Sequence, residues 1–166
     1  MRCLAPLLWL AGLTVAALLW WLCSATIPMV PGVNVAQRLG MAAAWLLPTV
    51  AVMLAMIMVQ MAARVRSGAV DPTTGRDAGL LVVNQRALSN TLEQFACFVP
   101  SLLALAAGIG PGHMPQVTAL AVVFAVARLA FWLGYLASPT LRAPGMTATF
   151  AVNLLCCIAA VVVWWP

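Results

Sequence analysis

Charged side chains are too scarce in this chain for it to fold with an ordinary water-facing surface. Only 7% of the 166 residues are charged and 65% are hydrophobic, whereas about a quarter of the residues are charged in a typical soluble domain. This composition excludes a soluble globular fold, and the same hydrophobic content excludes a disordered chain. What remains is an integral membrane protein built from several helices.

Five apolar segments approach or exceed the length of about 20 residues that a transmembrane helix requires. They cover residues 4–25, 39–63, 80–107, 116–137 and 146–165. The sequence therefore predicts an all-α, multi-pass membrane protein whose first partner is the lipid bilayer. The first segment also resembles a secretory signal peptide, because Arg2 precedes it and Cys23-Ser24-Ala25 imitates a cleavage site, but its length favours a retained helix.

The arginine residues are distributed unevenly between the predicted loops. With five spans, the N-terminus and the loops at 64–79 and 138–145 lie on one side of the membrane. That side carries Arg2, Arg64, Arg66, Arg76 and Arg142, whereas the other side carries Arg38. Because basic residues accumulate in cytoplasmic loops, we predict a cytoplasmic N-terminus. The eight arginines are spread over the whole chain, which argues against a nucleic-acid partner, since that needs clustered cations.

The remaining polar and sulfur-containing residues indicate structure rather than chemistry. The five cysteines form no Cys-x-x-Cys pair, and His113 is the only histidine, so we predict no metal site and no disulfide framework. Gln60 and Asn153 lie inside apolar segments, where amide side chains typically form hydrogen bonds between helices.

Two segments carry charged side chains at positions that lie within the membrane. Arg86, Asn90 and Glu93 are spaced i, i+4 and i+7, so they share one face of the third helix. A second stripe on and just after the fourth helix contains Arg128, Tyr135 and Arg142. A charge at the centre of a transmembrane helix costs about 3 kcal/mol, so these side chains are expected to face the bundle interior or a wet cavity.

Two explanations of these stripes stay open at the level of the residues. Glu93 and Arg128 reach similar depths in antiparallel helices, so they could simply neutralise each other as a buried ion pair. One acid cannot neutralise three arginines, however, and the surplus cations favour an anionic ligand that enters from the cytoplasmic side. The forked guanidinium group suits a carboxylate, because two N–H groups meet two oxygens.

The same residues resemble the signature of a known family. NQRALSNTLEQF (84–95) is similar to the R-x-x-x-N-x-x-E-x-[FY] motif of the MAPEG family, the membrane-associated proteins of eicosanoid and glutathione metabolism. ARLAFWLGYLASPTLRAPG (127–145) resembles the later segment of that family, in which an Arg, an aromatic residue, a Gly-Tyr pair and a distal Arg recur at these spacings. The resemblance implies a four-helix membrane domain over residues 39–166, preceded at 1–38 by an additional N-terminal transmembrane helix and linker.

The resemblance also implies a function, a cosubstrate and an assembly. The family forms homotrimers in which glutathione lies between neighbouring subunits, and the implied activity is a glutathione-dependent transferase or peroxidase for hydrophobic small-molecule electrophiles. By this analogy Arg142 activates the thiol, while the residues that bind glutathione are Arg86, Asn90, Glu93, Arg128 and Tyr135. Arg64 or Arg66 is a further candidate for a carboxylate contact. The composition and the additional helix favour a bacterial inner-membrane protein.

Other functions remain compatible with the sequence. The family also contains non-catalytic members that present lipid to a partner, so a lipid-binding or partner-binding scaffold of the same fold is the main alternative. A small transporter subunit, with Glu93 as an ion site, is weaker because the chain shows no internal repeat.

Overall fold

The fold consists of five helices in a computed structural model that describes residues 4–69, 71, 75 and 77–165, with Leu4 and Ala5 described by their backbone alone. The helices are α1 (Leu4–Thr26), α2 (Val35–Ser67), α3 (Leu80–Gly108), α4 (Met114–Ala137) and α5 (Ala143–Trp164), and a short 3-10 turn at Pro111–His113 leads into α4. Each of the five is long and apolar enough to cross a membrane. The predicted all-α membrane fold is therefore confirmed. Arg2 and Arg76, two of the arginines used to predict a cytoplasmic N-terminus, lie outside the described residues.

Three helices, α2, α4 and α5, begin earlier than the apolar segments indicated, and local signals explain the larger differences at α2 and α5. At the start of α2, the Asn34 side chain accepts a hydrogen bond from the Gln37 backbone at 2.9 Å, and the Gln37 side chain accepts one from the Asn34 backbone at 2.9 Å. This reciprocal capping fixes the helix start ahead of the apolar run. At the start of α5, Pro144 occupies the first turn, where its missing N–H has no helical partner to lose.

Helix α4 is the centre of the bundle, and it packs against all four other helices. Its side chains form much of the buried core, in which the Phe124 ring stacks on Phe98 of α3 with ring centroids 4.1 Å apart. Helix α1 packs mainly on α4 and α5, so it forms part of the bundle wall rather than standing apart.

Buried amide groups join the helices on the α2–α3–α4 side. The Asn84 side chain donates to the backbone carbonyl of Met56 and to the side chain of Gln60, both at 2.9 Å, and accepts from the Trp132 indole at 2.8 Å. Asn153 of α5 donates to the Gln94 side chain of α3 at 2.7 Å. The interhelical hydrogen bonds predicted for Gln60 and Asn153 are therefore confirmed, and they fix the faces that α3 presents to its neighbours.

Candidate functional site

A cavity of about 820 Å³ lies where the ends of α1, α3, α4 and α5 that are predicted to be cytoplasmic meet. Its volume falls within the range of about 300–1,000 Å³ that is usual for small-molecule sites. Its polar lining residues, here called the polar wall, are Arg86, Asn90, Tyr135 and Arg142. Four of its apolar lining residues, here called the apolar wall, are Trp9, Leu13, Met146 and Phe150, and the lining is completed by Phe131, Ala143 and Thr147.

Helix α3 supplies two members of the polar wall. Arg86 and Asn90 are one helical turn apart, so their side chains leave the same face of α3 and reach the cavity together. Arg86 is exposed, whereas Asn90 is half-buried at the base of the polar wall. The predicted stripe on α3 therefore lines the cavity with these two side chains.

The last turn of α4 supplies Tyr135, and the turn between α4 and α5 supplies Arg142. The guanidinium carbon of Arg142 lies 4.6 Å from the centroid of the Tyr135 ring, a cation–π contact. This contact requires the turn to fold back closely on the end of α4. A Cβ atom at Gly134 would meet the backbone carbonyl of Leu141 and would lie 3.2 Å from the backbone nitrogen of Arg142. Glycine at position 134 therefore permits the approach that brings Arg142 over Tyr135.

Arg128 lies beneath the cavity and does not line it. Its side chain is fully buried and donates to Thr91 at 2.8 Å, to Asn90 at 3.1 Å and to Thr149 at 3.5 Å. The guanidinium carbon also lies 4.0 Å from the centroid of the Phe131 ring. Arg128 thus contacts two side chains that line the cavity, Asn90 and Phe131, and supports them from below.

The ion pair considered for Glu93 and Arg128 does not form within the part of the chain that the structure describes. All three hydrogen-bond acceptors of Arg128 are neutral, and Glu93 is exposed. The expectation failed because equal depth in two helices does not place side chains on facing sides. Glu93 belongs to the predicted α3 stripe, but it is not among the described residues that line the cavity.

The two arginines at the end of α2 do not line the cavity either. Arg64 forms a two-pronged ion pair with Asp77, with N–O distances of 2.8 and 2.9 Å, and it also donates to the backbone carbonyl of Ala69. These contacts tie the end of α2 to the segment before α3. Arg66 is exposed.

The apolar wall was not predicted from the sequence. Trp9 and Leu13 belong to a segment that carried no motif, and an apolar residue in a transmembrane helix gives no sign of whether it faces lipid or a cavity. Only the packing of α1 against α4 and α5 shows which of its side chains reach the site.

The lining suits an organic anion better than a metal ion. Two arginines face the cavity, and none of the described lining residues is acidic. Among the described residues, no three His, Cys, Asp or Glu side chains come together in a group that could hold a metal ion. The cavity combines carboxylate-binding cations on one side with an aromatic and aliphatic surface on the other.

The protein is therefore an integral, multi-pass membrane bundle with a polar and apolar cavity at one end. A family model described as "MAPEG family" matches residues 39–162, which is most of the chain. The chain belongs to the MAPEG family. At family level, this membership supports a membrane function of the glutathione-related transferase or peroxidase type, or a related one. A comparison with curated proteins finds no match.

Proposed function

We propose that this protein is a glutathione-dependent transferase or peroxidase that acts on hydrophobic electrophiles. The observation that carries the proposal is the convergence of Arg86, Asn90, Tyr135 and Arg142 on one cavity from three separate parts of the chain. These are residues that the family resemblance assigns to glutathione binding and thiol activation, although residues 86 and 142 are far apart in sequence.

The two walls match the two substrates. Glutathione carries two carboxylates, and the guanidinium groups of Arg86 and Arg142 can each offer paired N–H donors to one anionic group. The electrophile is apolar, and the apolar wall offers it aromatic and aliphatic surface. A cosubstrate held at the polar wall and an acceptor held at the apolar wall would therefore share one cavity.

Arg142 is the group proposed to activate the thiol. A nearby cation favours the charged form of a thiol and lowers its pKa, and the thiolate is the nucleophile. The thiolate sulfur forms a bond to the electrophilic carbon, and the displaced group leaves with its electron pair. Tyr135 lies against Arg142 at 4.6 Å and holds the guanidinium group at the edge of the cavity.

The exposed charges on α3 support an assembly of several copies. Glu93 lies about 20 Å from the start of α3, by a rise of about 1.5 Å per residue. Because its side chain is exposed, a lone chain would present this carboxylate to lipid deep in the membrane. We propose that this face meets a neighbouring subunit in a homotrimer and that Glu93 takes the amino group of glutathione there. The proposed location is a bacterial inner membrane, with residues 1–38 as an addition to the four-helix domain.

The test is glutathione binding to the detergent-purified protein by calorimetry, followed by conjugation of a hydrophobic electrophile. Arg86→Ala removes a charged hydrogen-bond donor worth about 1.5–3 kcal/mol, so we expect the Kd to rise about tenfold or more. Arg66→Ala is the matched control, because Arg66 is also exposed but lies away from the cavity. Arg142→Ala is expected to lower turnover about 100-fold while Arg142→Lys retains part of it.

Two results would contradict the proposal. If the folded wild-type protein does not bind glutathione, the cavity holds another ligand. If Arg142→Ala conjugates the electrophile at the wild-type rate, Arg142 does not activate the thiol.

The apolar wall also favours a second candidate, a non-catalytic scaffold that binds lipid. Four apolar side chains form one side of the cavity, and a lipid chain would cover them as well as an electrophile would. Glutathione binding without conjugation of any electrophile would favour this function over the transferase.

A further inference from the structure

Helix α1 is seated on α5 beside the candidate site. A Cβ atom at Gly12 would meet the backbone carbonyl of Pro144 and the hydroxyl of Thr147, so only glycine allows this close approach. The Thr147 hydroxyl lies within hydrogen-bond distance of the backbone carbonyl of Trp9, at 3.4 Å, and closer, at 3.1 Å, to the carbonyls of Ala143 and Pro144 in its own helix. These contacts attach α1 to the first turn of α5, immediately after Arg142.

The contacts deeper in the membrane fix the rest of α1. Ala16, one turn beyond Gly12, is buried in the core. Trp20, one turn further, donates from its indole nitrogen to the backbone carbonyl of Gln116 at the start of α4, at 3.3 Å. Helix α1 therefore lies against the bundle over most of its length, and the cavity is bounded on that side.

The seated helix presents Trp9 and Leu13 to the cavity. They are one turn apart on the same face of α1, and they line the same cavity as Arg86 and Asn90. Leu13 also lines a second, smaller pocket of about 150 Å³, which it shares with Ala16 one turn further along α1. A long apolar molecule that follows the apolar wall would therefore have to pass Leu13 to enter this narrower space.

We propose that α1 is the wall that limits the length of the hydrophobic acceptor, with Trp9 and Leu13 as the specificity-determining residues. This inference rests on the proposed transferase function. A compact electrophile fits between the Trp9 indole and the polar wall, where its reactive carbon faces the thiolate, whereas a long alkyl chain must displace Trp9 or Leu13. A hydrophobic pocket discriminates by about 10–200-fold per misplaced methylene group, so the effect is measurable.

The test uses the full-length protein in detergent, glutathione, and a series of alkyl vinyl ketones from methyl to octyl. In each reaction the thiolate sulfur bonds to the terminal vinyl carbon, the resulting enolate takes a proton from water, and no other reactant is needed. We expect Trp9→Ala to raise the ratio of kcat/KM for octyl to methyl substrate about tenfold. The Kd for glutathione should stay unchanged.

Trp21→Ala is the matched control, since Trp21 is an exposed tryptophan of the same helix that lines no described cavity. It should leave the length profile unchanged. Leu13→Ala, compared with Leu18→Ala, repeats the test at the second position. Gly12→Ala should also favour longer substrates because it displaces α1. Gly40→Ala should have no effect, because no atom of the described residues lies within 4 Å of a Cβ atom at that position.

The outcomes separate this inference from the proposed function. Conjugation with the same length profile in Trp9→Ala and Trp21→Ala would overturn the role of α1 and leave the transferase function intact. Mass spectrometry of the intact active protein would also overturn the role of α1 if the measured mass showed that α1 is missing. If the wild type neither binds glutathione nor conjugates an electrophile, the transferase function itself is overturned. The proposed role of α1 in limiting the acceptor is then overturned as well.

Discussion

At the scale of single residues, Arg128 shows how the bundle tolerates a buried cation. No carboxylate of the described residues meets it; two hydroxyl groups and one amide oxygen accept its hydrogen bonds, and the Phe131 ring lies against its guanidinium group. Thr91 and Thr149 are themselves anchored, because each donates to a backbone carbonyl of its own helix. The arrangement points the Asn90 oxygen towards Arg128 and leaves the Asn90 amide group free to face the cavity.

This geometry predicts that Arg128 affects glutathione binding through Asn90. We expect Arg128→Ala and Asn90→Ala each to raise the Kd for glutathione about tenfold, because both remove the oriented amide group. The double variant should bind no more weakly than Asn90→Ala alone. Calorimetry on the four proteins of this double-mutant cycle measures the coupling.

Additive losses in the double variant would contradict that prediction and would mean that Arg128 contacts the ligand itself, as the family resemblance implies. The pairing of Asn90 with Arg128 was not predictable from the sequence. Glu93 is the only acid in the third segment and was therefore the obvious partner, but in the structure Glu93 is exposed and Arg128 donates to Asn90 and Thr91 instead.

At the scale of helices and turns, the junction of α4 and α5 determines where Arg142 lies. The Ser138 backbone donates to the Gly134 carbonyl at 2.8 Å as α4 ends, and Leu141 and Ala143 continue the turn with backbone hydrogen bonds of 3.1 and 3.2 Å. This turn lies directly over Gly134, so the position of Arg142 depends on the absence of a side chain there.

We therefore predict that Gly134→Ala impairs catalysis although it touches no cavity-lining side chain. The added methyl group would overlap the Leu141 carbonyl and push the turn away from α4, which separates Arg142 from Tyr135. We expect turnover to fall about tenfold or more, since a small misplacement of a catalytic group can cost about 100-fold. Gly110→Ala is the matched control, because no atom of the described residues lies within 4 Å of a Cβ atom at Gly110. Equal rates in both variants would show that the turn does not position Arg142.

The sequence predicted the helices well and the packing of α1 poorly, for different physical reasons. Hydropathy is a local property, so five apolar runs were enough to place five helices, and the reciprocal capping of Asn34 and Gln37 could also have been found from its spacing. The position of α1 in the bundle depends on the close contact between Gly12 and Pro144, two residues that are distant in sequence. No local pattern records such a contact, so the apolar wall became visible only in the folded chain.

At the scale of the whole molecule, a single chain leaves charges where lipid would lie. Arg86 and Glu93 are both exposed on α3, and the residues around them belong to a helix that is otherwise apolar enough to span the membrane. A carboxylate in the hydrocarbon region costs about 3 kcal/mol on the most lenient scale. The proposed homotrimer removes this cost, because the charged face of α3 then meets protein and ligand instead of lipid.

Replacing Glu93 by leucine distinguishes a lipid-facing carboxylate from one that faces a subunit and a ligand. If Glu93 binds the amino group of glutathione at a subunit interface, Glu93→Leu should raise the Kd about tenfold or more, because a charged hydrogen bond is lost. The matched control is Gln85→Leu, an exposed polar position of the same helix that does not line the cavity. Calorimetry gives the Kd, and native mass spectrometry of each protein in detergent gives the oligomeric state, which we expect to be a trimer. The contrary result would be a Glu93→Leu variant that unfolds at a higher temperature than the wild type and binds glutathione as tightly. Glu93 would then face lipid, and the proposed subunit interface on this face of α3 would be wrong.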